Sequence, residues 1–158
     1  MNIEKLPLLG QGFFWQDISV GQRFRTFRRT ITEADLVGFI NCTGMLEAIF
    51  IDETFEHAIQ GRPVPAALTY TFIEGFILQS MIQGTGMAML ELRQEIFQPV
   101  RVGDSIDATV EVTDIRPTSR SGRAVVTSVI EVFNQTGVRV MRYEAKRLLA
   151  GREGSSMA

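Results

Sequence analysis

The stretch "PVPAALTYTFIEGFILQSMIQG", from Pro63 to Gly84, carries the reading of the fold. Pro63 and Pro65 stand at its start, where a helix has no use for the N–H that proline lacks, and Gly84 stands just past its end, where a helix closes in the left-handed conformation. This bracketing predicts one helix of about five turns. Its apolar side chains (Ala67, Leu68, Tyr70, Phe72, Ile73, Phe76, Ile77, Leu78, Met81 and Ile82) point in nearly every direction around the axis. Such a helix must be covered on most of its circumference.

The segments that follow supply the cover. "MAMLELRQEIF" alternates Ala88, Leu90, Leu92 and Ile96 against Glu91, Arg93 and Glu95, and "SIDATVEVTDI" alternates Ile106, Ala108, Val110 and Val112 against Asp107, Thr109, Glu111 and Thr113. A period of two predicts strands with one buried face. "PVRVGDS" joins them, the loop "RPTSRSGR" leads into "AVVTSVIEVF", and "NQTG" turns the chain into "VRVMRYEAKRLL".

Upstream, "GQRFRTFRRTIT" reads as a first strand whose four arginines give it a wet face. In "TEADLVGFINCTG", Thr32 and Asp35 have capping-box spacing, Leu36, Phe39 and Ile40 recur at helical intervals, and Gly44 ends the helix. Asp52 is expected to open a second short helix, "DETFEHAIQG", with Phe55, Ala58 and Ile59 on one face and Gly61 past its end. The expected class is α+β, a buried central helix clasped by a curved five-stranded antiparallel sheet. Residues 1–19 form a lead, 20–149 a single domain and 150–158 a flexible tail.

A chain of 158 residues, 45% hydrophobic and 22% charged, fits one domain with one core. A net charge of −2 gives no long-range field to gather nucleic acid or an anionic membrane, so neither is expected as a partner. One cysteine, Cys42, and one histidine, His57, exclude a disulfide framework and a Cys/His zinc site, and fit a reducing cytoplasm. The first residues lack the pattern of a signal peptide, and the longest apolar run is interrupted by Glu74 and shorter than the roughly 20 residues that span a bilayer. No phosphate-cradling Gly-rich loop with a lysine, HExxH or GxSxG is present, which leaves nucleotide hydrolysis, zinc proteolysis and serine hydrolysis without support.

Chemistry concentrates in "TGMLEAIFID", Thr43 to Asp52, where only Glu47 and Asp52 can move a proton. Glu47, in an apolar stretch, is either a base whose proton affinity desolvation raises or a carboxylate facing solvent or an arginine. Asp52 is either a second proton carrier or the N-cap of the next helix. His57, beside Glu56 and opposite the Phe55 face, reads as a surface histidine, and Cys42 as a small core residue with no base to activate it.

The segments "TITEADLVGFINCTG", "GRPVPAALTYTFIEGF", "FQPVRVGDSIDATVEV" and "EVFNQTGVRVM", in this order and spacing, resemble the MaoC-like acyl dehydratase and (R)-specific enoyl-CoA hydratase family of the hotdog fold. In that family an aspartate directly after the helix-ending glycine and a histidine five residues later share general acid and base duties over one water. By position, Gly44 matches the glycine, Met45 the aspartate, Glu47 an asparagine, Ala48 a proline, Phe50 the histidine and Asp52 a second aspartate.

The resemblance therefore implies hydratase or dehydratase chemistry on an acyl-CoA or acyl-carrier thioester, in a slot that Met45 and Phe50 dry and narrow, with Glu47 and Asp52 as the remaining carboxylates. It implies that the amides at the central helix's start, Ala66 and Ala67, polarise the thioester carbonyl, against the plain reading of a Pro-initiated helix. Arg116, Arg120 and Arg123 are candidates for the phosphates of coenzyme A, against a solvated loop. Glu74 either pairs across a subunit boundary or lines the acyl tunnel. Coenzyme A enters as part of the substrate, with no separate cofactor and no metal, and the expected assembly is at least a homodimer with the tunnel between subunits. Two other functions stay open: a non-catalytic acyl-CoA-binding or regulatory hotdog subunit, and a thioesterase that uses one carboxylate.

Overall fold

The computed structural model describes residues 8–56, 61–119 and 122–152. After a 3-10 turn at Trp15–Asp17 come β1 (Arg23–Arg25), β2 (Arg29–Thr30), α1 (Glu33–Thr43), α2 (Ala48–Ile51) and α3 (Ala66–Phe76). Then follow β3 (Gly86–Ile96), β4 (Ser105–Pro117), β5 (Arg123–Phe133) and β6 (Arg139–Ala150). The α+β architecture is the one expected, a central helix laid on an antiparallel sheet.

Helix α1 begins as its sequence spells. The Thr32 hydroxyl accepts the Asp35 amide at 3.2 Å, the Asp35 carboxylate accepts the Thr32 amide at 2.9 Å, and Gly44 ends the helix at φ 73°. The central helix is shorter than expected. Pro65 is its N-cap, and after Phe76 the chain widens into a π segment, Ile77–Met81, closed by the Ile82 amide on the Ile77 carbonyl at 3.1 Å. Gly84 follows at φ 73°.

The sheet has six strands rather than five, in the order β1-β4-β5-β6-β3 with β2 also on β4. The expected first strand breaks because Thr26 interrupts it. Its side-chain oxygen accepts the Ala108 amide at 2.9 Å, and the register on β4 moves by one residue between Arg25↔Thr109 and Arg29↔Ile106. Inward residues of β4 (Ile106, Val110, Val112), β5 (Ile130, Val132) and β6 (Met141, Tyr143) form the core with Leu68 and Ile73 of α3 and Ile77 of the π segment.

Strand β3 departs from its pattern. Alternation predicts one buried face, yet Met87, Met89, Leu90, Leu92 and Ile96 are all exposed. The reason is topological: β3 ends the sheet, pairing only with β6, and its ladder is irregular at Gly86/Ala88 and Met89/Glu91. Leu78, Gln79 and Ser80 of the helix are exposed as well, so the single chain covers its central helix incompletely.

Both ends of the described chain are tied to this body. The Gly12 amide donates to Gln83 O and the Phe13 amide to Met81 O, each at 2.8 Å. A Cβ on Gly12 would lie 2.5 Å from the Gln83 nitrogen, so this close approach requires glycine. Arg152 reaches Asp17 at 2.7 Å, while residues 153–158 of the expected tail lie outside the described residues.

Candidate functional site

Beyond Gly44 the chain turns tightly at Met45, the Leu46 amide donating to Gly44 O at 2.8 Å, is extended at Glu47 and then makes the single turn of α2. Glu47 is the N-cap of that turn: its carboxylate accepts the Ile49 amide at 3.0 Å and is exposed. Of its two readings, the single chain displays the solvent-facing one. Met45 is 38% exposed, whereas Phe50 is half-buried against the edge of the core.

Asp52 does not open a helix. It is the C-cap of α2, and its carboxylate accepts both the amide and the hydroxyl of Thr54, at 2.9 and 2.7 Å. Aspartate serves an Asx turn as readily as an N-cap, and here the turn forms instead. Those Thr54 hydrogen bonds, side chain first, hold the Asp52 carboxyl below its ordinary value, which makes it a weak base. His57, Ala58 and Ile59 lie outside the described residues.

Cys42 is exposed rather than in the core. The buried face of α1 is set by Leu36 and Ile40, and two residues past Ile40 a helix points the opposite way. Arg116, near the end of β4, is exposed and paired with Asp114 at 2.8 Å, Arg123 is half-buried at the start of β5, and Arg120 lies outside the described residues.

The start of α3 has the clearest ligand-binding geometry. The Leu68 and Thr69 amides both turn back to Pro65 O, at 2.9 and 3.4 Å, and no side chain caps the helix. The Ala66 and Ala67 amides therefore keep the free first-turn donors of a helix end, which favours negative charge. The entry is held in place by the Val64 amide on Val100 O at 2.8 Å and a bridge between Pro63 and Arg101.

Glu74 finds its partners within the chain. Its Oε1 accepts Arg147 Nη2 at 2.5 Å and the Tyr143 hydroxyl at 2.8 Å, with Tyr70 edge-on to the Tyr143 ring at 5.2 Å. The ion pair lies inside one chain rather than across a subunit boundary, and Glu74 also borders a cavity of about 350 Å³ with Leu78, Met87, Met89 and Arg147. Arg147 escaped the sequence reading, although its signal was present: it falls in phase with the inward residues Met141, Tyr143 and Ala145 of β6. A buried arginine needs a buried carboxylate, and Glu74 interrupts the apolar helix.

Burial, and then the neighbouring Glu74, pushes the Tyr143 hydroxyl far above the usual tyrosine value. The folded state thus holds that proton more tightly than the unfolded chain. The resulting stabilisation is fully present below the ordinary tyrosine pKa of about 10 and falls as pH climbs beyond it. Urea midpoints followed upward from neutral pH should drop more steeply for the native chain than for Tyr143→Phe. Parallel alkaline slopes would show that Tyr143 does not carry this linkage.

Among the described residues, no group of three or more His, Cys, Asp or Glu side chains is arranged to hold a metal ion, and no helix is long and apolar enough to cross a membrane.

A family model described as FAS1-like, dehydratase domain region, matches residues 19–143. The 3-hydroxybutyryl-CoA dehydratase of Methylorubrum extorquens is 27% identical over 150 residues, covering 92% of this chain and 95% of that protein. A MaoC-like dehydratase from Rhodospirillum rubrum shares the fold at a TM-score of 0.80 and 25% identity, over 89% of this chain and 99% of the other. A Mycobacterium tuberculosis protein described as having a double hotdog fold aligns at a TM-score of 0.78 and 16% identity, over 93% of this chain and 47% of its own. The fold is the hotdog fold that the sequence resemblance implied.

Proposed function

The chain belongs to the FAS1-like dehydratase-region family, and from that premise we propose that it binds an acyl-CoA thioester and adds water to, or removes it from, the acyl chain. The observation that carries this reading is the start of α3, where among the described residues no side chain caps the Ala66 and Ala67 amides. In hydration, Glu47 takes a proton from water as the water oxygen bonds to the β-carbon of the conjugated acyl group. The electron pair moves onto the thioester oxygen, where the Ala66 and Ala67 amides hold the charge. Return of the proton to the α-carbon completes a 3-hydroxyacyl thioester, and dehydration runs the same steps backwards.

Replacing Ala66 by proline tests the amides without breaking the helix. Ala66 is the first helical residue, where proline is well tolerated, and Pro65 already has the extended backbone (φ −54°, ψ 136°) that a following proline demands. Loss of the conjugated absorbance of enoyl-CoA thioesters should slow about 10²- to 10³-fold in kcat for Ala66→Pro, at nearly unchanged melting temperature. Glu47→Gln should lower kcat about 10²- to 10⁴-fold with little change in KM. Turnover indifferent to both substitutions would remove the mechanism, and release of free thiol would reassign the reaction to hydrolysis.

A second reading rests on the carboxylates themselves: Glu47 is occupied in capping Ile49 and Asp52 in bonding Thr54. That arrangement favours an acyl-CoA-binding or regulatory subunit, for which tight binding without turnover is the expected result.

The open edge of β3 and its exposed apolar side chains fit pairing with a second copy, which would also cover the exposed Leu78, Gln79 and Ser80 of the π segment. Sedimentation should show at least a dimer for the native chain and a monomer for Leu90→Lys combined with Ile96→Lys. An unaltered mass for that variant would place the interface elsewhere.

A further inference from the structure

Two guanidinium groups share one carboxylate oxygen at the sheet edge remote from β3. Arg25 Nη2 donates to Asp107 Oδ2 at 3.1 Å, and Arg28 donates to the same atom from Nε at 3.1 Å and Nη2 at 2.9 Å. The Asp107 side chain is 8% exposed, so it anchors both arginines while their outer edges stay in solvent. One negative charge against two positive leaves an excess of one. Among the described residues no other acceptor takes up the remaining N–H groups of either arginine.

Arg25 and Thr26 form a wall common to two cavities. One, of about 300 Å³, is bounded by Arg25, Thr26, Phe27 and Arg28, and opens to solvent beside the exposed Phe27 ring. The other, of about 240 Å³, is apolar: Phe13 and Phe24, 5.5 Å apart between ring centres, stand over Ile77, Met81 and Val110. No carboxylate lines either cavity. An apolar slot beside a surplus of one positive charge is complementary to a ligand with an aliphatic chain and a single negative charge at its end.

We infer that this groove binds a free aliphatic monocarboxylate, its chain between Phe13, Phe24 and the carboxyl-terminal half of the central helix and its carboxylate on Arg25 and Arg28. The site is separate from the proposed thioester site, since Ile77 lies about 16 Å along the helix axis from Ala66. It does not depend on the chain being a hydratase. A phosphomonoester, which carries close to two negative charges near neutral pH, matches the surplus less well.

Titration calorimetry on the full chain with octanoate, octanol, octyl phosphate and inorganic phosphate tests the inference. Octanoate should bind, and octanol and inorganic phosphate at least tenfold more weakly, because each keeps only half of the recognition. In the triple variant Arg25→Gln, Arg28→Gln, Asp107→Asn, which leaves no buried carboxylate without a partner, octanoate affinity should fall at least tenfold. Ser80→Trp leaves every charge in place and puts an indole into the mouth of the apolar cavity, and should abolish binding. If the triple variant fails to show the native far-ultraviolet spectrum, Ser80→Trp decides alone, since Ser80 is an exposed helical position. Absence of octanoate binding, equal affinity for octanol, or undiminished binding to Ser80→Trp overturns the inference, and tighter binding of octyl phosphate overturns the carboxylate assignment.

Discussion

Glu74→Ala is expected to destabilise the protein by about 3–5 kcal/mol, the cost of leaving a buried cation without its partner. The Glu74 and Arg147 side chains are only 9% and 6% exposed, so solvent replaces little of the lost interaction. Arginine cannot shed its proton to escape. Its Nε already has no partner, and the Tyr143 hydroxyl loses its acceptor in the same change. For a domain of this length each kcal/mol moves the melting temperature by roughly 2–4 °C, so a drop of about 10 °C is expected. Replacing both partners, Glu74→Leu with Arg147→Met, should recover most of it, because apolar groups of similar volume fill the same space without the desolvation of two charges. A double variant as unstable as Glu74→Ala would show that the ion pair itself stabilises the fold. A single variant melting like the native chain would mean that water reaches Arg147.

Where the sequence was informative, the deciding forces act between near neighbours. Thr32 and Asp35 satisfy each other's amides across one turn, so α1 and its glycine stop are visible in the spacing. Period-two alternation locates β4, and the loop and tight turn around them locate β5 and β6, whose inward residues meet the helix. Strand β3 carries the same alternation and stays open, because burial of an edge strand depends on what lies beyond the edge. Asp52 was ambiguous for a different reason: one short side chain serves an Asx turn or an N-cap equally well, and Thr54 tips the choice. The break between β1 and β2 came from Thr26 replacing a main-chain acceptor, an event that composition does not announce. Glu74 was noticed as an anomaly in an apolar helix, while Arg147, in phase with the inward face of its strand, identifies its partner only when the two are read together. At the candidate site the prolines mark where α3 begins, the role of the Ala66 and Ala67 amides comes from the family resemblance alone, and the engagement of Glu47 with Ile49 depends on a local turn that spacing does not announce.

Installing the acid and base that the family resemblance assigns to positions 45 and 50 should produce the largest gain in activity. Met45→Asp places a carboxylate just after the left-handed Gly44, at a tight turn where the native side chain is 38% exposed, so the new charge meets little desolvation. Phe50→His keeps a flat ring in α2, at a half-buried position at the margin of the core. Each positioned acid or base contributes typically about 10²- to 10⁴-fold, and groups that act on one water contribute as a unit. The double variant should therefore hydrate short enoyl-CoA thioesters at least about 10²-fold faster than the native chain, while either single change yields far less. Adding Ala66→Pro to the double variant should cancel most of the gain, since the oxygen that accumulates charge would lose a donor. That cancellation separates chemistry at the start of α3 from a new reaction elsewhere on the surface. Acyl-CoA binding retained with no gain in hydration would mean that residues 45 and 50 do not face the bound acyl chain, and the thioester would then have to be held with its reacting carbons turned away from α2.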